Sequence, residues 1–256
     1  MARQIDLNSD LGEGFGPWPM GDDDAMLELV SSANIACGGH AGDPETMYRT
    51  LSVAAENGVV VGAHPGYYDR EGFGRRVIPM SPAEVGRIVA AQVGALRAIA
   101  ATVPVEVRYV KPHGALGNLA AADTDVSKAI VAALQSVDEQ LAVLAISGTQ
   151  LEHVARAEGV VVYSEVFADR AYLSSGQLVP RSQPGAVLHD AGEATERLLG
   201  FLETGLMPVV DGDPIPLEAH SICVHGDSPV AVEMTRRIRD TLTANGVELV
   251  GFATAR

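Results

Sequence analysis

Cysteine is scarce in this chain: only Cys37 and Cys223 occur in 256 residues. Neither belongs to a CxxC pair, so a disulfide framework and a zinc knuckle are excluded as organising devices. Both sit beside apolar residues, as small buried hydrophobes do. Positive charge is scarce too. Lys plus Arg number 18 against 33 Asp plus Glu, a net charge of −15, and a surface of that sign repels phosphodiester backbones and anionic lipid. Nucleic acid and membranes are therefore excluded as expected partners. No stretch approaches the roughly 18 consecutive apolar residues of a spanning helix, and Met1 to Asp6 carries no apolar signal core, so a cytoplasmic protein is expected. Nucleotide motifs are also missing. There is no GxxxxGK(S/T) phosphate loop, and Gly12-Glu13-Gly14-Phe15-Gly16 has the wrong spacing for a dinucleotide fingerprint.

What is present is ample apolar material, 47% of residues against 20% charged, enough for one large core without staples. Short β-branched runs alternate with stretches of helical period, the signature of βα units around a parallel sheet. Strands are expected over Ile5–Leu7, Ala33–Ala36, Val59–Ala63, Val105–Val110, Leu141–Ile146, Val160–Val166, Ser221–Val224 and Val247–Phe252. Helices are expected over Asp22–Ser32, Pro44–Asn57, Ser81–Thr102, Asp125–Val137, Thr149–Glu158, Asp190–Thr204 and Ser228–Asn245. Asp43-Pro44 and the capping box Ser81-Pro82-Ala83-Glu84 mark helix starts, and Asn57-Gly58 and Asn245-Gly246 mark stops. No linker, repeat or low-complexity tract interrupts the alternation. The expected fold class is α/β, a single (β/α) barrel of TIM-like type occupying residues 1–256. The long segments Gly66–Met80 and Ala168–Leu188 are expected over its mouth.

The chemistry-bearing residues fall directly after apolar strands: Asn8 and Asp10, His40 and Asp43, His64, Lys111 and His113, Glu165 and Asp169, His225 and Asp227. In a parallel barrel such positions converge at the C-terminal ends of the strands. One such residue is as readily structural as functional, whereas six clusters in one register point to a site. Glycines flank them, Gly12 and Gly14 among others, where turn amides can approach an anion. His153, His189 and His220 read as surface or packing residues. Asp22-Asp23-Asp24 reads as an acidic helix start. Arg75-Arg76 reads equally as a solvated pair or an anion site.

Seven runs in fixed order carry a resemblance: Asp6-Leu7-Asn8-Ser9-Asp10-Leu11-Gly12-Glu13-Gly14-Phe15-Gly16, Asn34 to Asp43, Gly62-Ala63-His64-Pro65-Gly66-Tyr67, Asp69 to Arg76, Lys111-Pro112-His113-Gly114-Ala115-Leu116, Glu165 to Arg170, and Val224-His225-Gly226-Asp227. Together they resemble the LamB/YcsF family, whose members serve in bacterial 5-oxoprolinase. The resemblance implies a barrel related to the glycoside hydrolase and deacetylase barrels. It also implies ATP-dependent opening of the lactam 5-oxo-L-proline to L-glutamate, with ATP as cofactor and two further subunits, B and C, as partners.

Opening a stable lactam needs an activated electrophile, a positioned water and a proton for the departing nitrogen. Lys111, Arg70 and Arg170 are the cations expected on the carboxylate and phosphate, helped by amides around Gly12 and Gly14. Asp10 is expected to activate water, with His64 or His113 as the alternative base or proton donor. Asn8, His40 and Glu165 are expected to orient ligand or bases. No fixed metal site is expected on this reading, although a divalent metal remains compatible with it. A second reading lets Asp10, His40, His64 and Asp227 hold Zn²⁺ or Mn²⁺ in a metal-dependent deacetylase or amidohydrolase. A third makes the chain a non-catalytic subunit that presents lactam to a partner.

Overall fold

Along the first strand Asp6, Asn8 and Asp10 share one face and Leu7, Ser9 and Leu11 the other, and this two-residue period organises the molecule. The structure is a computed structural model that describes residues 3–188, 190–226 and 229–253. In chain order the elements are β1 (Arg3–Leu11), α1 (Asp23–Leu27), β2 (Ser32–Ala36), α2 (Pro44–Glu56), β3 (Val60–His64), α3 (Pro82–Ala100), β4 (Val107–Val110), α4 (Gly114–Ala122) and α5 (Thr124–Val137). They continue with β5 (Ala142–Ile146), α6 (Gln150–Ala157), β6 (Val162–Phe167), α7 (Ala191–Thr204), β7 (Leu206–Met207), β8 (Ile215–Pro216), β9 (Ser221–Val224), α8 (Pro229–Ala244) and β10 (Val247–Leu249). Among the described residues, seven parallel strands close in the order β1-β2-β3-β4-β5-β6-β9, with β9 returning to β1. The result is a TIM-like barrel ringed by helices. No helix among the described residues is long and apolar enough to cross a membrane.

The local signals act where expected. The Ser81 side chain accepts from the Glu84 N–H while Glu84 reaches back to the Ser81 N–H, and Pro82 opens α3. Asp43 caps α2 by accepting from the Glu45 and Thr46 amides. Apolar side chains of the strands, such as Leu7, Ile35, Val61, Val110 and Ile222, face the helices and join the main core. The intervening polar side chains face the interior of the barrel. Bonds between strands that are not neighbours require this arrangement: Tyr109 of β4 donates to Asn34 of β2 at 2.7 Å, and Lys111 reaches Asn8 of β1 and Cys223 of β9.

The structure corrects four expectations. The first strand runs on through Asn8 and Asp10 to Leu11, because interior partners offset the poor strand propensity of Asn and Asp. The stretch expected as a helix to Ser32 ends its helical turns at Leu27, since Ser31 and Ser32 are drawn to the Asp6 carboxylate at 2.7 Å each. The final run is not a stave of the barrel: β10 pairs with Arg3–Ile5, below the Asp6–Ser9 stretch that pairs with β9. Beyond it, Phe252 packs at a tilt against Tyr109 and Tyr163 at ring separations of 4.8 and 4.4 Å. A helix over Gly114–Ala122 was not expected, because Gly114, Gly117 and Asn118 weaken its first turns.

Asp6 accepts from three serine hydroxyls, those of Ser31, Ser32 and Ser221, yet burial dominates and raises its carboxyl from 3.8 to about 6. The fold therefore keeps a proton that the unfolded chain releases near pH 3.8. The contribution is full below that value and is lost as pH rises through about 6, an effect of about 3 kcal/mol at 1.36 kcal/mol per unit. The stability of Asp6→Asn, measured by chemical unfolding, should improve relative to wild type as pH climbs from about 4 to 7. A difference independent of pH would remove this role from Asp6.

Candidate active site

At the C-terminal end of the barrel the interior polar face becomes a floor centred on the buried ammonium of Lys111. Its Nζ lies 3.0 Å from Glu165 Oε2, 3.1 Å from Asp10 Oδ1, 3.2 Å from Asn8 Oδ1 and 3.1 Å from Cys223 Sγ. Burial works against the charge, but Asp10, Cys223 and Glu165 outweigh it and hold Lys111 well above its usual value. Asp10 is likewise pulled both ways. Burial would raise it, while His64 and Lys111 hold it well below the usual carboxylate range. At Glu165 burial wins and raises the carboxyl despite the ammonium beside it. Asn34 donates to both Asn8 and Asp10, at 2.7 and 2.9 Å, and so fixes the two β1 side chains relative to one another.

Beside this floor stand three imidazoles. His40 and His113 stack in parallel with centroids 3.6 Å apart, and His64 meets His113 edge-on at 4.8 Å. Glu13 enters from the loop after β1, its Oε1 3.0 Å from His40 Nε2 and 3.4 Å from His113 Nδ1. Asp10 Oδ2 lies 3.3 Å from His64 Nε2. Burial pushes His40 and His113 well below the usual imidazole value, reinforced at His40 by His64 and at His113 by the other two rings. Both rings are neutral at physiological pH.

A cavity of about 490 Å³ opens above these groups, lined by Asp10, Glu13, His64, Lys111, His113 and Glu165 together with parts of the two long loops and the start of α4. Asn8 and His40 lie one layer beneath, bonded to lining residues. Arg170 reaches the lining, but its guanidinium donates to the Val179 and Ala186 carbonyls, and burial followed by Arg181 lowers it to about 10. Arg70 is not brought to the cavity. It lies over the Phe15 ring at 3.7 Å and donates to the Gly38 and Gly42 carbonyls. Gly12 and Gly14 do not line it either: the Gly12 amide donates to Asp23 Oδ2 at 3.0 Å, and Gly14 accepts from the Gly42 amide. Of the arginine pair, Arg75 lines the cavity and Arg76 pairs with Asp69. His225 stands between Asp169 Oδ2 at 2.8 Å and Arg181 at 2.9 Å. Asp227 and His189 fall outside the described residues.

Sequence reasoning missed Glu13, Cys223 and Arg181 as site residues. Glu13 carried a usable signal, an acidic residue between two glycines three positions after Asp10. Cys223 and Arg181 carried none, because an apolar strand and a long loop give no indication of what they face.

Gly62 is placed by the same geometry. A Cβ there would run into the Tyr109 ring, at a position where the β3–β4 register shifts. Gly62→Ala should destabilise by about 1–3 kcal/mol through overpacking, and it should weaken the Tyr109–Asn34 bond that supports Asp10. Chemical denaturation of the purified variant measures this, and a loss below about 0.5 kcal/mol would mean that the ring yields freely.

A closed parallel barrel with an open, polar-floored cavity at its strand ends defines a βα-barrel protein with a candidate small-ligand site. The sequence pattern of the LamB/YcsF family matches residues 5–256, and the chain belongs to that family. Among curated relatives, the A subunit of 5-oxoprolinase from Nocardia farcinica is 53% identical over 248 residues, covering 97% of this chain and 99% of that protein. The corresponding 5-oxoprolinase component of Gluconobacter oxydans is 49% identical over 246 residues, covering 96% and 97%. Among solved structures, a lactam utilization protein from Thermus thermophilus superposes with a TM-score of 0.91 at 41% identity, over 97% of this chain and 100% of that one.

Proposed function

We propose that this chain is the A subunit of a 5-oxoprolinase and that its cavity binds 5-oxo-L-proline, which the assembled enzyme opens to L-glutamate while ATP becomes ADP and phosphate. The observation that carries the reading is the Lys111 ammonium, buried between Asp10 and Glu165 at the floor of a cavity large enough for a five-membered lactam. The names of the relatives support it. Lys111 polarises the lactam oxygen or its phosphorylated form. Asp10, kept ionised beside His64, accepts the proton of the attacking water. Arg75, Arg170 and Arg181, on the loops above, supply positive charge for the carboxylate and any phosphate.

The nucleotide belongs on the partner subunits in this reading. No phosphate loop occurs in the chain, the Gly12 amide is already used on Asp23, and a net charge of −15 is a poor field for gathering a polyanion. The need for ATP makes the cytoplasm its compartment. A coupled assay of ADP and glutamate, run on the isolated chain and on the chain reconstituted with two partner subunits, tests the proposal. Turnover should appear only in the mixture, while 5-oxoproline should bind the isolated chain in calorimetry. Full turnover by the chain alone would overturn the division of labour, and absence of lactam binding would overturn the substrate.

A further inference from the structure

The tautomers of two imidazoles follow from their backbone contacts. His64 Nδ1 lies 2.6 Å from the Lys111 carbonyl oxygen, and His113 Nε2 lies 2.9 Å from that of Phe73. A carbonyl only accepts, so those two nitrogens carry the protons. In the neutral tautomer that each contact selects, the remaining nitrogens, His64 Nε2 and His113 Nδ1, present lone pairs, and they face one another at 2.9 Å. Next to them lie two more acceptors: Asp10 Oδ2 is 3.3 Å from His64 Nε2, and Glu13 Oε1 is 3.4 Å from His113 Nδ1. With both rings neutral and both carboxyls ionised, none of these four electron-pair donors brings a hydrogen of its own, so they share at most what a neighbour such as His40 Nε2, 3.0 Å from Glu13 Oε1, donates. Lys111 does not relieve them, because its contacts are to Oδ1 of Asp10 and to the opposite wall.

We propose that Glu13, His64 and His113 hold a divalent transition-metal ion of the zinc class, with a further coordination position open to the cavity beside Asp10 Oδ2. Ligands about 2.0–2.1 Å from a tetrahedral metal stand roughly 3.3 Å apart, and the observed separations of 2.9 and 3.4 Å bracket that value. The ligand atoms of Glu13, His40, His64 and His113 all lie within 4.8 Å of one another. Each ligating imidazole gives its other N–H to a backbone carbonyl, the outer support that fixes a metal-binding histidine. His40 orients the set: its Nε2 sits 3.0 Å from Glu13 Oε1 and its ring stacks on His113. A single proton would join one pair and leave the other donors facing each other. An ion here would act as a Lewis acid and bring its bound water within reach of deprotonation near neutral pH.

The inference concerns the same cavity but does not depend on the lactam. Its test uses the full-length chain without 5-oxoproline or ATP, stripped with chelator, dialysed, and titrated with Zn²⁺ by calorimetry and with Co²⁺ by visible absorption. One equivalent per chain should bind at micromolar concentration or tighter, with Co²⁺ bands of a low-coordinate nitrogen and oxygen site. Glu13→Gln and His113→Asn should each weaken binding by at least tenfold, while exposed His153→Ala should leave it unchanged. Because the wild-type Co²⁺ spectrum is read without any variant, a misfolded variant does not remove the test. Absence of stoichiometric binding, or binding that survives both ligand variants, would overturn the site. Turnover by a reconstituted enzyme in excess chelator, with no metal retained, would overturn the metal while leaving the proposed function standing.

Discussion

Asp10→Asn is expected to lower turnover of the reconstituted enzyme by on the order of 100- to 10,000-fold while the fold persists. The substitution keeps an oxygen in the place where Oδ1 accepts from Lys111 and Asn34, at 3.1 and 2.9 Å, so the barrel interior loses little. What disappears is a carboxylate that the Lys111 ammonium beside it holds ionised against burial. The loss should fall on kcat, since the group acts on the reacting water, and binding of 5-oxoproline should change much less. Steady-state kinetics beside a thermal melt measures both. Turnover within a few-fold of wild type would move the base elsewhere.

Lys111→Met is expected to act on stability as well as on activity. The ammonium is the buried counter-charge of both Asp10 and Glu165. Removing one partner from a buried ion cluster costs on the order of 3–5 kcal/mol, because the charges left behind are uncompensated. For a domain of this size the melting temperature should fall by roughly 10 °C or more. A double substitution, Lys111→Met with Glu165→Gln, should recover part of the loss, since the second change removes one orphaned carboxylate. Activity should not return with it. A melting temperature within a degree or two of wild type would show that the two carboxyls simply take up protons at little cost.

The barrel was legible in the sequence because its outer strand faces are apolar and its helix caps are strong: Ser81-Pro82-Ala83-Glu84 and Asp43-Pro44 start helices as expected. Its candidate site was legible because Asp10, His64, Lys111, His113 and Glu165 recur at the same end of β1, β3, β4 and β6. What the sequence concealed is which way the side chains face. Asn8 and Asp10 read as residues after a strand, because nothing local reveals that Asn34, Ser221 and Lys111 wait across the barrel to bond them. Arg70 read as a ligand-binding cation because its motif lies on a mouth loop, but the Phe15 ring and two carbonyls take it first. Gly12 read as an anion-binding turn, and its amide instead ties the loop to Asp23. In each case the deciding partner lies more than ten positions away in the chain.

The polar interior of the barrel also governs how the chain can reach this structure. Lys111 is compensated by side chains from β1, β6 and β9, and Asp6 by serines that lie 25, 26 and 215 positions away. A barrel lacking its last stave would expose these groups to water, where they are comfortable, whereas a collapsed but wrongly registered one would bury them without partners. Closure of β9 onto β1 is thus the step that completes the surroundings of Asp6 and Lys111. Such long-range contacts make folding slow, and they make it discriminating, since few other compact arrangements can hold one ammonium, two carboxylates and three imidazoles away from solvent.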